Sequence, residues 1–342
     1  MSFDPEALRA ALFKRLRPER LLDSVDLSSL GPRIDLLCLG KPAEAYAQAI
    51  RQLLGPRIQR EIVVGLHAGH PIPNEQSFAS GEALIRFVRE IEPDTDLLCF
   101  IAGGGSALAE CPRTPFDKAR IIERTRELIE RGAPITELNA ERARMSRIKN
   151  GGLLDGCRAR RVMTLVLVDV PSDDPALVAS GPTIDGKSEV VRIAGYPELA
   201  RIAAELVPGA RIHEPAFDEP LETAIERHLA LLGDAPLISG GELTTPNRRG
   251  GRGGRNTEFV IRLAHRLRRE RWRVMSLATD GCDGNSDSAG GWIDSEALRG
   301  IDITPWLERS DTADLLAERG TLFPRAATQT NLMDLHIVAR RL

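Results

Sequence analysis

No stretch of this chain is apolar for long enough to cross a bilayer. The longest run, 162-VMTLVLV-168, falls far short of the roughly 20 residues that a spanning helix needs. Charge of one sign is also lacking, with a formal net of -3, so no global basic field draws nucleic acid and no acidic excess marks a solvating tail. Small molecules are the expected partners, with no nucleic acid and no membrane. The five cysteines are an odd number without metal-ligand spacing, and Cys38 and Cys99 lie inside apolar runs, which points to a reducing, cytoplasmic setting. The first twenty residues follow an amphipathic pattern carrying Asp4, Glu6, Arg9, Lys14 and Arg15, unlike a signal peptide. No repeat or low-complexity tract appears.

What is present is a βα rhythm. Apolar runs at 34–39, 61–66, 96–102, 161–170, 236–239 and 272–279 read as strands. Helical periodicity covers 1–22, 42–54, 77–92, 117–131, 136–148, 192–206, 219–232 and 256–270. This predicts an α/β protein: an N-terminal domain with a mostly parallel sheet flanked by helices, and a smaller C-terminal α/β domain. At 342 residues the chain is long enough for two cored domains. The proline-punctuated segment 207-VPGARIHEPAFDEP-220 is the best boundary, giving domains 1–215 and 216–342.

Each strong strand ends in a polar or glycine-rich turn: Gly40-Lys41, 103-GGGSA-107, 169-DVPSDDP-175, 240-GGE-242 and 280-DGCDGNSD-287. Ligands of open parallel sheets bind at these ends. Two cations stand at helix starts, where the dipole disfavours them by about 0.3–1 kcal/mol. They are Lys41 and Arg255, the latter in 248-RRGGRGGR-255, and a shared anion would justify both. The turn of Gly103, Gly104, Gly105 and Ser106 has neither the dinucleotide nor the P-loop spacing, yet its N–H groups and the serine hydroxyl could cradle a phosphate. Asp169 and Asp280, among the strand-end aspartates, are the candidates for holding a Mg²⁺, with helix caps and Asx turns as the bland alternative. His67 and His70 read as hydrogen-bonded loop residues, since no third metal ligand has a recognisable spacing. Cys282 has no assigned role, and Asp283 reads as a turn residue.

Taken together, these turns resemble the glycerate 2-kinases that join an N-terminal kinase domain to a smaller MOFRL domain. The matching segments run in order over almost the whole chain: Gly40-Lys41, 68-AGHPIPNEQS-77, 103-GGGSAL-108, 139-NAERARMSRIKNGG-152, 169-DVPSDDPALVASGPT-183, 239-SGGELT-244, 253-GGRNTE-258, 279-TDGCDG-284 and 330-TNLMDL-335. The resemblance implies ATP- and Mg²⁺-dependent phosphorylation of D-glycerate at the 2-hydroxyl, in a cleft between two α/β domains. It implies Lys41 and Arg255 as catalytic cations, Lys149, Gly254 and Asn256 beside the glycine turn as phosphate ligands, and Arg142, Gln329 and Asn331 as substrate ligands. Asn150 stands where the family usually has glycine, Arg144 where it has histidine, and Thr257 where it has glutamine. Ala327 and Gln329 replace a glycine- and proline-rich turn. Alternatives are a catalytically lapsed ligand-binding regulator, a kinase for another sugar acid, a hydroxypyruvate reductase, and an RNA-binding role for the arginine and glycine run. A homodimer stays open.

Overall fold

The computed structural model describes residues 3–67, 69–133, 135–245 and 250–341. Ala68 and the first two arginines of the arginine and glycine run, Arg248 and Arg249, lie outside these. Eleven strands occur among the described residues: β1 Ile34–Leu39, β2 Ile58–Val64, β3 Asp96–Ile101, β4 Val162–Leu167, β5 Glu189–Ala194, β6 Arg211–Ile212, β7 Leu237–Gly241, β8 Trp272–Ala278, β9 Ser288–Asp294, β10 Leu322–Pro324 and β11 Asp334–Arg340. They form two sheets in two compact units of comparable length. One unit comprises Pro18–Asp169 and Asp174–Ile193; the other comprises Met1–Arg17, Val170–Asp173 and Ala194–Leu342.

In the first unit the sheet order is β2-β1-β3-β4-β5, with β2, β1, β3 and β4 mutually parallel. β1 and β3 are buried along their whole length, as expected of central strands covered by helices on both faces. The helix Ala43–Leu54 contributes Tyr46, whose ring stacks on Phe100 of β3 at 4.1 Å. The helix Glu75–Arg89 starts at Asn74, which accepts the Ser77 N–H in a capping box.

The second unit has the order β10-β9-β8-β11-β7-β6. The predicted strands at 236 and 272 do flank the helix Arg255–Arg266, but they are not neighbours. β11 runs between β7 and β8, antiparallel to both. The core forms where Phe259, Val260, Leu263 and Ala264 of that helix meet Val274 and Val338, confirming the 3.6-residue reading of the segment. This sheet is therefore mixed and largely antiparallel, and its unit is nearly equal in length to the first.

The division departs from the predicted 1–215 and 216–342 boundary. The helix Tyr196–Leu206 packs on β7 and on the helix Pro5–Arg15. Tyr196 also donates its hydroxyl to His213 O at 2.6 Å. The proline-rich segment is no linker: Phe217 N–H donates to Gly240 O and Glu242 N–H to Phe217 O, so it is laced to the end of β7. The predicted helix over 1–22 is broken into Pro5–Arg15 and Pro18–Leu22, since Pro18 cannot continue the first. Among the described residues no helix is long and apolar enough to cross a membrane.

Candidate active site

Because β1, β3 and β4 are adjacent and parallel, the loops that follow them emerge side by side. Lys41 N–H donates to Gly103 O at 2.9 Å. Gly104 has φ +82°, and a Cβ there would stand 2.8 Å from Lys41 Cγ and 3.3 Å from His70 Cδ2. A Cβ on Gly103 would strike the Asp169 carboxylate at 1.7 Å. Glycine is thus demanded by the close approach of a lysine, an imidazole and a carboxylate. The turn leads into the short helix Gly105–Leu108, and among the described residues no acceptor is bonded to the N–H of Gly104 or Ser106.

Behind the turn lies a buried charge cluster. Lys149 Nζ donates to Ser106 O at 2.9 Å and sits 2.8 Å from Glu110 Oε2, both side chains being closed to solvent. Burial pushes the Lys149 ammonium below its ordinary range, and Glu110 opposes the shift. Arg142 is 6% exposed. Its Nη2 donates to Pro71 O at 2.9 Å, its Nε has no hydrogen-bond partner, and among the described residues it has no ion-pair partner. Burial lowers this guanidinium to about 10, again against the pull of Glu110. Two buried cations, Arg142 and Lys149, therefore share one buried carboxylate, and the half-buried Lys41 stands beside Gly104 at the turn itself. A buried charge without a counter-ion is costly, so the arrangement suits an added anion.

In the second unit Arg255 is the first residue of the helix Arg255–Arg266. It pairs with the Glu242 carboxylate at 2.9 Å and with Asp334, which is 1% exposed. Burial would lower the Arg255 guanidinium, but Asp334 and then Glu242 raise it overall. The predicted anion beside this helix start is thus supplied by the chain. The helix N-terminus is filled likewise: Asp283 accepts the N–H groups of Asn256 and Thr257 at 2.9 Å each, and the Asn256 amide at 3.2 Å. A Cβ on Gly254 would meet the same carboxylate at 2.2 Å. Asp283 ties down a helix, a larger role than the predicted turn stabilisation.

A model described as "Domain of unknown function (DUF4147)" matches residues 4–207, and one described as "MOFRL family" matches residues 235–334. A D-glycerate 2-kinase of Thermotoga maritima is 26% identical, the match covering 98% of this chain and 99% of that protein. A putative hydroxypyruvate reductase of Agrobacterium vitis is 31% identical over 80% of this chain and 87% of its own length. The crystal structure of the Thermotoga maritima glycerate kinase superposes with a TM-score of 0.85 at 25% identity, covering 98% of each chain. The chain belongs to the glycerate 2-kinase family. It is a kinase-class phosphotransferase by that membership.

Within this glycerate 2-kinase framework, some predicted site residues come together and others do not. Lys41, Gly103, Gly104, Gly105, Ser106 and Asp169 converge. Lys149 is a correction, since it braces the turn from behind and is closed to solvent. Asn256, 1% exposed, is another: its amide donates to Asp283 and its Oδ1 accepts from Ser276 Oγ at 2.5 Å, leaving it inside the protein. Gly254 belongs with it, as the place where Asp283 approaches the backbone. Asp280 is exposed and its Oδ1 accepts the Cys282 N–H at 3.0 Å, while Asn331 Oδ1 accepts the Met333 N–H at 3.2 Å, both Asx-type turns. Gln329 is exposed. Among the described residues no group of three metal-ligating side chains gathers.

Sequence reasoning gave no role to Glu110 or Asp334, and read His70 only as a hydrogen-bonded loop residue and Asp283 only as a turn residue. It also passed over 181-GPTIDGKS-188, which fits the P-loop spacing. That segment leads into β5 and not into a helix, and Asp185 accepts the N–H groups of Lys187 and Ser188 at 2.9 Å. Its donors are spent on its own turn.

Proposed function

We propose that this protein phosphorylates D-glycerate at the 2-hydroxyl, using ATP with Mg²⁺ and giving 2-phosphoglycerate and ADP. The observation that carries the reading is the excess of buried cations behind the glycine turn, where Arg142 and Lys149 have one buried carboxylate, Glu110, between them, with Lys41 standing at the turn itself. Phosphoryl transfer asks little covalent chemistry of a protein and much charge neutralisation, which such a cluster can supply.

The parts divide as follows. Backbone N–H groups of the glycine turn and the Lys41 ammonium bind and neutralise the transferring phosphoryl oxygens, and Arg255 is the second proposed charge-stabilising cation. Arg142 offers an unpartnered Nε–H in a planar fork suited to the substrate carboxylate. Asp169, an oxygen donor against Gly103, fits a Mg²⁺, which would supply charge neutralisation at the phosphate chain. Lys149 and Glu110 hold the turn in shape.

The test is ADP release and phosphorus NMR with ATP and Mg²⁺ over glycerate, tartronate, erythronate and other small sugar acids. The expected result is a phosphoester from glycerate at the 2-position. No phosphoester from any acid, with the protein folded, removes the kinase reading, and retained ligand binding in that case points to a regulator. A relative named as a hydroxypyruvate reductase supports one rival, checked by following NADH and NADPH oxidation with hydroxypyruvate.

A further inference from the structure

His67 and His70 lie in one loop and differ in their partners. Both ring nitrogens of His67 are engaged within the chain: Nδ1 accepts the Gly69 N–H at 3.0 Å, so Nε2 donates to Leu108 O at 3.0 Å. Among the described residues neither ring nitrogen of His70 has a hydrogen-bond partner. Yet the ring is half-buried and stands beside Gly104 and Lys41 at the glycine turn. A half-buried imidazole whose nitrogens are neither bonded within the protein nor closed off, next to a cradle with unbonded N–H groups, has the placement of a group that can meet a ligand bound at that cradle.

We propose that His70 is a further catalytic residue of this kinase, the acceptor of the proton from the substrate hydroxyl. The inference rests on the kinase reading above. In the step, the hydroxyl oxygen forms its bond to the γ-phosphorus of a nucleoside triphosphate as the bond from that phosphorus to the bridging oxygen breaks. The bridging electron pair leaves with the nucleoside diphosphate, and the hydroxyl proton passes to an unprotonated imidazole nitrogen and then to water. Nothing is oxidised or reduced.

The surroundings keep the acceptor ready. Burial, then the charges of Lys41 and Arg142, lower the His70 imidazole to about 4, so it is unprotonated at any physiological pH. These two cations are the charged groups that act on it, and a bound anion set against them offsets their repulsion. Proton affinity then rises toward the range in which a general base works best.

The full chain tests this through His70→Gln and His70→Gly. The expected result for His70→Gln is a kcat lower by about 10²–10⁴, with the KM for ATP within about threefold and an unchanged melting temperature. Added imidazole should restore the His70→Gly variant by about tenfold or more, and the restored rate should follow the unprotonated fraction of imidazole as pH rises. Near-parental kcat in His70→Gln overturns the proposal. So does a loss that imidazole does not rescue, since a positioning or folding role would give that result. The wild-type chain is assayed alongside: turnover there with no effect at His70 sinks this inference alone, whereas a wild type that makes no phosphoester sinks the kinase reading with it.

Discussion

Asp334, the first residue of β11, holds the guanidinium of Arg255 from across the sheet, and it is buried while its partner is only partly so. The register explains the meeting. Asp334 lies opposite both Gly241, where β7 ends, and Ala278, where β8 ends. An antiparallel strand thus begins at the edge where two others finish, and delivers a carboxylate to the start of the helix Arg255–Arg266.

The two cations should therefore respond differently to removal. Lys41→Ala should lower turnover by about 10²–10⁵ without lowering the melting temperature, because Lys41 forms no ion pair among the described residues. Arg255→Ala should lower turnover similarly and also destabilise by about 3–5 kcal/mol, since Asp334 stays buried without its cation. Steady-state kinetics beside denaturant unfolding checks both. An Arg255→Ala variant as stable as the parent would show that Asp334 is not held by this pair.

Asn150, where the family pattern has glycine, and Gln329, where it has a glycine- and proline-rich turn, both have left-handed backbones, at φ +51° and +59°. Asparagine tolerates this region through its short polar side chain, whereas glutamine meets the ordinary penalty of about 1–2 kcal/mol. The extra freedom that glycine has in the unfolded chain offsets part of any gain. Gln329→Gly should therefore stabilise by up to about 1 kcal/mol, and Asn150→Gly should be nearly neutral. Thermal unfolding of both variants measures this. With Gln329 exposed, the ratio of kcat/KM for glycerate to that for longer sugar acids should stay unchanged in Gln329→Gly, and a shifted ratio would put the glutamine at the substrate.

The first unit was largely legible in the sequence, because fully buried parallel strands such as 34-IDLLCL-39 and 96-DLLCFI-101 announce themselves as continuous apolar runs with their loops at one edge. Lys41, the glycine turn and Asp169 could be named for that reason. The second sheet was less so. β11 alternates little and follows a turn-rich stretch, so the strand carrying Asp334 went unseen, and with it the partner that relieves Arg255 of its conflict with the helix dipole. Asp283 shows the same limit, since a carboxylate twenty-seven residues beyond Asn256 becomes its helix cap only through the fold. Arg142 and Lys149 could be named from their segment, but Glu110 carries no local signal. His70 looked the same as His67 until their hydrogen bonds could be compared.

The buried histidines of the second unit make its stability depend on acid. His336 is fully buried on β11. Its Nδ1–H donates to Ser276 Oγ at 2.8 Å, because the Ser276 hydroxyl is itself spent on Asn256. Its Nε2 has no hydrogen-bond partner, so a proton added there would be buried unsatisfied. Burial, then Arg255, lowers His336 from 6.5 to about 3. His228 is lowered to about 3 by burial and then by His336, its Nδ1 held 2.6 Å from Ala224 O. Since both affinities are lower folded than unfolded, the unfolded chain binds more protons below pH 6.5. The stabilisation is complete above that pH and is lost as the pH falls toward about 3. Each group can contribute up to 1.36 kcal/mol per pH unit, or about 2 kcal/mol between pH 6.5 and 5. Carboxylates also titrate in acid, so the measurement is a difference: urea unfolding at pH 7 and pH 5 for the wild type and for His336→Gln. The variant should lose about 2 kcal/mol less than the parent over that interval. Equal losses in the two proteins would mean that His336 takes up its proton without unfolding, and that its side of the core is open to water.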